Sequence, residues 1–222
     1  LLALGLYFFV KNPEKSENLD KGSFFDLLKF RQLWFILPLV FIHYAPVAGI
    51  RGLWIGPYIN DNFYSASNLA FATTAMSLAM IAGTFAYGPM DRIFSTRKWI
   101  IFIGSSVSLV SLISLALFNE ISFNVAVFLF CTLGFFGMSY PLMIAHGRSF
   151  SPENLTGRCV TLLNMFAIGG VGIFQFLTGR IFSKLTEVHN NNHEAYTIIF
   201  LFYASALFLG LILYLKSKDR LD

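Results

Sequence analysis

Six long stretches that contain no Asp, Glu, Lys or Arg divide this chain of 222 residues. A helix needs about 20 predominantly apolar residues to cross a hydrocarbon core about 30 Å thick. Five of the stretches reach that length, and the first reaches it when the weakly polar continuation 52–58 is included. The pattern predicts six transmembrane helices, and the stretches cover 33–50, 62–90, 99–119, 121–147, 159–179 and 195–215.

Composition and local pattern exclude other classes of protein. Charged residues make up 13% of the chain and apolar residues 56%, whereas soluble domains average about 25% charged residues. Lys and Arg occur in short runs between the uncharged stretches, which argues against a basic face that binds nucleic acid. A membrane barrel would alternate apolar and polar residues, but runs such as 125–130 are apolar on every side. We therefore expect an all-α, polytopic bundle in a lipid bilayer.

The positions of the cations predict the orientation and the domain boundaries. If six helices alternate in direction, thirteen of the sixteen Lys and Arg residues fall on one side, and cytoplasmic loops carry such an excess. We expect the carboxy terminus in the cytoplasm. The expected segments are the end of a truncated transmembrane helix at 1–10, a cytoplasmic central loop at 11–32, a six-helix domain at 33–215 and a cytoplasmic tail at 216–222.

The loop 88–98 carries a recognisable order of residues: Gly88, then Asp91 and Arg92, and then Arg97. This order resembles the Gly-x-x-x-Asp-Arg-x-Gly-Arg-Lys loop of the major facilitator superfamily of secondary transporters. The loop departs from that pattern because its first glycine precedes the aspartate by three residues and no glycine follows the Asp-Arg pair.

Two further segments extend the resemblance over the whole chain. Segment 151–158, which ends in Arg158 and leads into Asn164 and a Gly-Gly pair, is similar to the start of the eleventh helix of the family. Segment 51–58 is similar to the outer end of the seventh helix in many bacterial members. The resemblance implies the carboxy-terminal half of an alternating-access (rocker-switch) carrier for a small solute. It also implies a missing amino-terminal six-helix half and a place in the bacterial cytoplasmic (inner) membrane.

The resemblance assigns the cytoplasmic loops a conformational role. Residues of these loops would hold a gate closed in one state of the carrier rather than touch the solute. The alternative is a basic loop that only sets topology. The predicted gate residues are Gly88, Asp91, Arg92, Arg97 and Arg158.

Polar residues of the first full span are the candidates for a solute cavity. His43 lies ten residues into the span, about 15 Å deep, near the middle of the bilayer. At about 100° per residue, Arg51, Trp54 and Tyr58 fall on the same face as His43, and the kink expected at Tyr140–Pro141 adds Tyr140. The alternatives are a neutral His43 bonded to a neighbouring helix and an Arg51 that reaches the outer interface.

Two amides and two histidines remain as weaker candidates. Asn164 and Gln175 lie about 20° apart around the fifth span. Such amides usually bond a neighbouring helix, and the resemblance places their helix at the contact between the two halves. His189 and His193 have a spacing that a metal could use, but no third strong ligand accompanies them, so we expect no metal and no other cofactor.

The remaining candidate functions are an enzyme and a receptor. The sequence carries no metal set, nucleophile with base or paired intramembrane aspartates, which argues against an enzyme. A non-transporting receptor or sensor on the same helices stays open as the alternative. All twelve Asp and Glu lie outside the six stretches, so the sequence leaves open whether H+ or Na+ is a coupling ion.

Overall fold

Six helices, each long and apolar enough to cross a membrane, make up the fold. A computed structural model describes residues 23–118, 122–189 and 192–221, and these residues include no strand. The expected helix end at 1–10 and the loop residues 11–22 lie outside this part of the chain. The helices confirm the predicted all-α bundle and are α1 (Arg31–Phe63), α2 (Ala66–Phe94), α3 (Lys98–Leu117), α4 (Phe123–Arg148), α5 (Thr156–His189) and α6 (Asn192–Tyr214).

Helix α1 is irregular along its length. Pro38 lies inside its first segment, where a proline removes one backbone N–H from the helical ladder. Near the middle of the helix, the hydrogen bonds widen from the i→i+4 to the i→i+5 pattern of a π-helix. The four segments are Arg31–His43, Ala45–Gly49, the π-helical Ile50–Trp54 and Ile55–Phe63.

Helix α4 contains the break that its proline predicts. Its first segment ends at Gly137 and its second begins at Tyr140. Pro141 is the second residue of that segment, a position where the missing N–H of a proline costs little. The expected kink at Tyr140–Pro141 is therefore confirmed.

The backbone of α1 lies close to its neighbours because glycines face it. A Cβ atom at Gly170 of α5 would overlap the carbonyl oxygen of Phe41, and one at Gly137 of α4 would overlap the side chain of Val47. Small residues allow this close approach in membranes, where lipid supplies no hydrophobic driving force between helices. Helix α1 thus becomes the most buried of the six, and α2 the least buried.

Candidate functional site

The single polar face predicted for α1 does not form. His43, Trp54 and Tyr58 are buried in the bundle, whereas Arg51 is exposed. The prediction assumed a regular step of about 100° per residue, and the π-helical turn Ile50–Trp54 changes that step between His43 and Tyr58. Only Arg51 among these four reaches the surface of the bundle.

His43 is held by three neighbours inside the bundle. Its Nε2 lies 3.2 Å from the carbonyl oxygen of Gly137 and 2.9 Å from Oγ of Ser139. Because a carbonyl only accepts, Nε2 carries the proton, and Nδ1 accepts from Oγ of Ser105 at 3.0 Å. The imidazole is 2% exposed, and its contacts join α1 to α3 and α4. This environment matches the alternative of a neutral histidine bonded to neighbouring helices.

Trp54 and Tyr58 also serve the packing of the outer half of the bundle. The indole N–H of Trp54 donates to Oγ1 of Thr178 at 3.2 Å. The ring of Tyr58 meets the rings of Phe130 and Tyr196 edge to face, with centroids 5.5 and 5.3 Å apart. Neither side chain is placed to meet a solute at the surface of this bundle.

A different face of α1 remains uncovered, and we call it the open face. Its side chains recur every three or four residues and are half-buried or exposed, whereas the other residues of Leu33–Ile50 are buried, apart from Phe35. Helices α2 and α4 border it on one side and α5 on the other, as the contacts below show. The open face consists of Trp34, Pro38, Phe41, Tyr44, Ala48 and Arg51.

An aromatic pair and an amide lie at the middle of the open face. The rings of Tyr44 and Tyr140 stack with centroids 5.2 Å apart. The hydroxyl of Tyr140 donates to Oδ1 of Asn164, whose Nδ2 donates to the carbonyl oxygen of Val160 at 2.9 Å. The structure therefore brings Tyr140 and Asn164 together, although the sequence had suggested separate roles for them. Tyr44 was missed, and the spacing of the open face was the signal that could have identified it.

Arg51 lies further along the open face. Its Nε donates to Oγ of Ser77 on α2 at 3.1 Å, and Ser77 itself donates to the carbonyl oxygen of Thr73 at 2.7 Å. Next to Arg51, Gly52 lies close to the amide of Gln175 on α5: a Cβ there would meet Nε2 of Gln175 at 3.7 Å, an ordinary contact distance. Gly52 thus brings the backbone of α1 beside Gln175. A role for Gln175 between two halves stays a prediction.

The predicted gate residues separate into paired and exposed ones. Nε of Arg97 lies 3.0 Å from a carboxylate oxygen of Asp91, and both side chains are largely buried. Arg92 and Arg158 are exposed, and Gly88 has open space where a Cβ would be. The structure joins Asp91 to Arg97, and the gating role of all five residues stays a prediction.

The tail after α6 ties together the helix ends around the α2–α3 turn, and we call residues 215–220 the strap. The Asp219 carboxylate accepts from the hydroxyl of Thr96 and from the backbone N–H groups of Arg97 and Lys98, at 3.1 and 3.0 Å. It caps the start of α3, whose own N-cap side chain makes no such bond. Although burial raises it, these hydrogen bonds hold the pKa of the Asp219 carboxyl below its usual value.

Further hydrogen bonds fasten the strap to α1 and α4. Oε1 of Gln32 accepts from the backbone N–H of Lys218 at 2.9 Å. Nε2 of His146 donates to the carbonyl oxygen of Lys218 at 2.9 Å, and its Nδ1 accepts from the hydroxyl of Tyr214 at 2.7 Å. The sequence had shown this tail only as a run of cations.

His193 belongs to no metal site with other ligands in the part of the chain that is described. No group of three His, Cys, Asp or Glu residues that could hold a metal ion occurs among residues 23–118, 122–189 and 192–221. The side chain of His189 lies outside the description. Near the start of α6, the carboxylate of Asp61 accepts hydrogen bonds from the side chains of Asn192 at 2.8 Å and Tyr196 at 2.7 Å.

The comparisons with known proteins agree with this architecture. No family model and no curated protein matches the sequence. Among solved structures, the inward-open conformation of the xylose transporter XylE from E. coli matches with a TM-score of 0.64 at 17% sequence identity. The match covers 89% of this chain and 49% of that one, so this chain spans about half the length of the transporter. The fold is therefore similar to half of that transporter, which confirms the predicted resemblance at the level of fold.

Proposed function

We propose that the chain is the carboxy-terminal half of a secondary carrier that moves a small solute across the bacterial cytoplasmic membrane by alternating access. The observation that carries the proposal is the match in fold to half of a transporter over 89% of the chain. The fold favours a carrier over an enzyme, because the solved structure that it matches is that of a transporter.

In this proposal, the open face of α1 lines the solute path. Secondary transporters place their sites near the middle of the membrane, between repeats and at interrupted helices. Helix α1 fits that pattern, because it is the central helix and is interrupted by a π-helical turn. The amino-terminal six-helix half would face the open face, and the solute would lie between the two. Of the predicted cavity residues, Arg51 and Tyr140 are the ones in contact with this space.

The cytoplasmic loops would stabilise one of the two states. Rocking of two rigid halves makes and breaks contacts at their cytoplasmic ends. The exposed Arg92 and Arg158 are available for such contacts, whereas Asp91 and Arg97 hold the loop in shape. If transport is coupled to H+ or Na+, the carboxylates that bind the ion would come from the amino-terminal half, because no Asp or Glu occurs in the six uncharged stretches.

The test is solute exchange by the full-length protein in liposomes. A panel of small solutes is first screened for those that raise the melting temperature of the purified protein. The best solute, radiolabelled, should then exchange across the membrane of proteoliposomes and not across liposomes without protein. Binding without exchange would contradict transport and would favour the receptor or sensor alternative.

A further inference from the structure

We infer that the solute carries an anionic group, a carboxylate or a phosphate, and that the guanidinium of Arg51 binds it. This inference rests on the proposed transport function and adds the chemical class of the solute. It follows from four observations on the position, orientation, surroundings and backbone of Arg51.

The first observation is depth. Arg51 is four residues from the midpoint of the 33-residue helix α1, about 6 Å along its axis at 1.5 Å per residue. Its partner Ser77 is three residues from the midpoint of the 29-residue helix α2, about 5 Å along that axis. Arg51 therefore lies near the middle of two adjacent helices that are each long enough to span a membrane.

The second observation is charge. An arginine at this depth is costly, and such residues face a water-filled cavity or pair with an opposite charge. Within residues 23–118, 122–189 and 192–221, the hydrogen bond of Arg51 to Ser77 is to a neutral hydroxyl, and no ion pair joins Arg51 to a carboxylate. The charge of Arg51 is thus left for a ligand that approaches from the open face.

The third observation is orientation. Ser77 accepts from Nε of Arg51 and is itself anchored to the carbonyl oxygen of Thr73. This contact occupies one N–H of the guanidinium and leaves those on the two terminal nitrogens for another partner. A guanidinium forms two parallel hydrogen bonds with a carboxylate or a phosphate, and this paired geometry makes the contact specific for such anions.

The fourth observation is the backbone around Arg51. The π-helical turn Ile50–Trp54 returns Trp54 to the interior while Arg51, Gly52 and Leu53 stay exposed. Single π-helical turns of this kind are frequent at functional sites. Gly52 adds no side chain beside Arg51, and the amide of Gln175, which lies next to Gly52, offers a further hydrogen-bond donor.

The experiment compares matched pairs of solutes on the full-length protein. Each pair consists of an anion and its uncharged counterpart: benzoate with benzamide, lactate with lactamide, and glycerol phosphate with glycerol. The readout is the shift in melting temperature as a function of solute concentration. We expect the anion of at least one pair to stabilise the protein and its counterpart to have no effect. A comparison of the stabilisation by the two carboxylates with that by glycerol phosphate then shows which kind of anion the protein prefers.

Variants connect the response to Arg51. Arg51→Gln should weaken binding of the stabilising anion by about 10- to 100-fold, the range expected for a lost hydrogen bond to a charged group. Arg51→Lys keeps the positive charge but lacks the planar guanidinium, so its affinity for the anion should lie between those of the wild type and Arg51→Gln. Ser77→Ala should weaken binding several-fold, because the guanidinium loses its anchor. Arg180→Gln, which removes a charge from an exposed part of α5, is the matched control and should bind as the wild type does.

Three outcomes would overturn the inference. If uncharged solutes stabilise the protein and exchange across liposomes while no anion does, transport stands and the anionic class is wrong. If anions bind equally well to the wild type and Arg51→Gln, Arg51 is not the binding group. If Arg51→Gln lowers the melting temperature without solute and leaves anion binding unchanged, Arg51 pairs with a carboxylate of the other half.

If no solute of either charge binds or exchanges, the transport function itself fails.

Discussion

The end of the bundle that carries the strap and the open face of α1 treat their polar groups in opposite ways. At the strap end, Asp91 pairs with Arg97, and Asp219 receives three hydrogen bonds from the α2–α3 turn and the start of α3. On the open face, Arg51 has a neutral partner and is exposed.

The difference separates polar groups that hold the fold from those that remain for a ligand. A buried polar group that is fully hydrogen-bonded stabilises one arrangement of the chain, and its loss is costly because its partners stay buried. A charged group without such partners in the middle of a membrane is costly in itself and is a candidate for function. Variants at the first kind of position should change stability, and variants at the second kind should change binding.

The largest expected effect on stability is at the ion pair of the α2–α3 turn. Asp91→Asn removes the carboxylate that pairs with the largely buried Arg97 guanidinium, so we expect a loss of about 3 kcal/mol in the free energy of unfolding. The neighbouring Arg92→Gln removes an exposed charge and should change it by less than about 0.5 kcal/mol. Chemical denaturation of the full-length protein in detergent measures both. Equal effects of the two variants would contradict the distinction between paired and exposed gate residues.

The next effect concerns the close approach of α1 and α5. Gly170→Ala places a methyl group against the carbonyl oxygen of Phe41, and forcing the helices apart should cost about 2.5 kcal/mol. Gly172→Ala is the matched control, since nothing lies within contact distance of a Cβ at that position. The same denaturation measurement applies. A loss at Gly172 as large as that at Gly170 would mean that the position of Gly172, which has open space around it in this structure, is tightly packed in the full-length protein.

His43 gives the sharpest contrast with Arg51, because both are basic residues of the same helix. His43→Leu leaves the hydroxyls of Ser105 and Ser139 without their partner, so we expect a loss of about 2 kcal/mol in stability. Solute affinity of the folded fraction should stay unchanged, whereas Arg51→Gln should show the reverse. A binding defect in His43→Leu at unchanged stability would restore His43 as a cavity residue.

The smallest effect is at the strap and depends on pH. Asp219→Asn weakens the cap of α3 and should cost about 1 kcal/mol at neutral pH. Because the pKa of Asp219 is lowered in the fold, its contribution is present above the ordinary aspartate pKa of about 3.9 and is lost as the pH falls through the folded value. The difference in stability between wild type and variant should therefore be constant from about pH 8 to 5, begin to shrink near pH 4 and disappear only below the lowered pKa of the folded state. A difference that already fades near pH 6 would contradict this assignment.

The sequence predicted the helices well because lipid imposes a simple rule on them. Every backbone N–H and C=O inside the hydrocarbon needs a partner within the segment, so a long uncharged stretch has few alternatives to a helix. The proline at position 141 likewise predicted the break of α4, since its ring and missing N–H act locally.

The faces of α1 could not be predicted in the same way. A π-helical turn has more residues per turn than an α-helix and so reduces the rotation between His43 and Tyr58, and no residue of Ile50–Trp54 signals it in the sequence. The strap was hidden for a different reason. Asp219 lies more than 120 residues from the start of α3 that it caps, and its neighbours in the sequence, Lys218 and Arg220, suggest only a basic tail.

Water accessibility of the open face in the full-length protein provides the most direct test. After Cys131 and Cys159 are replaced by serine, a single cysteine is introduced at Ala48 on the open face or at Val110, which is 61% exposed on α3. Both membrane orientations are treated with a water-soluble maleimide that cannot cross lipid. If α1 lines a solute path, the cysteine at Ala48 reacts and the one at Val110 does not. If both are equally unreactive, lipid or protein covers the open face and the proposed path does not exist.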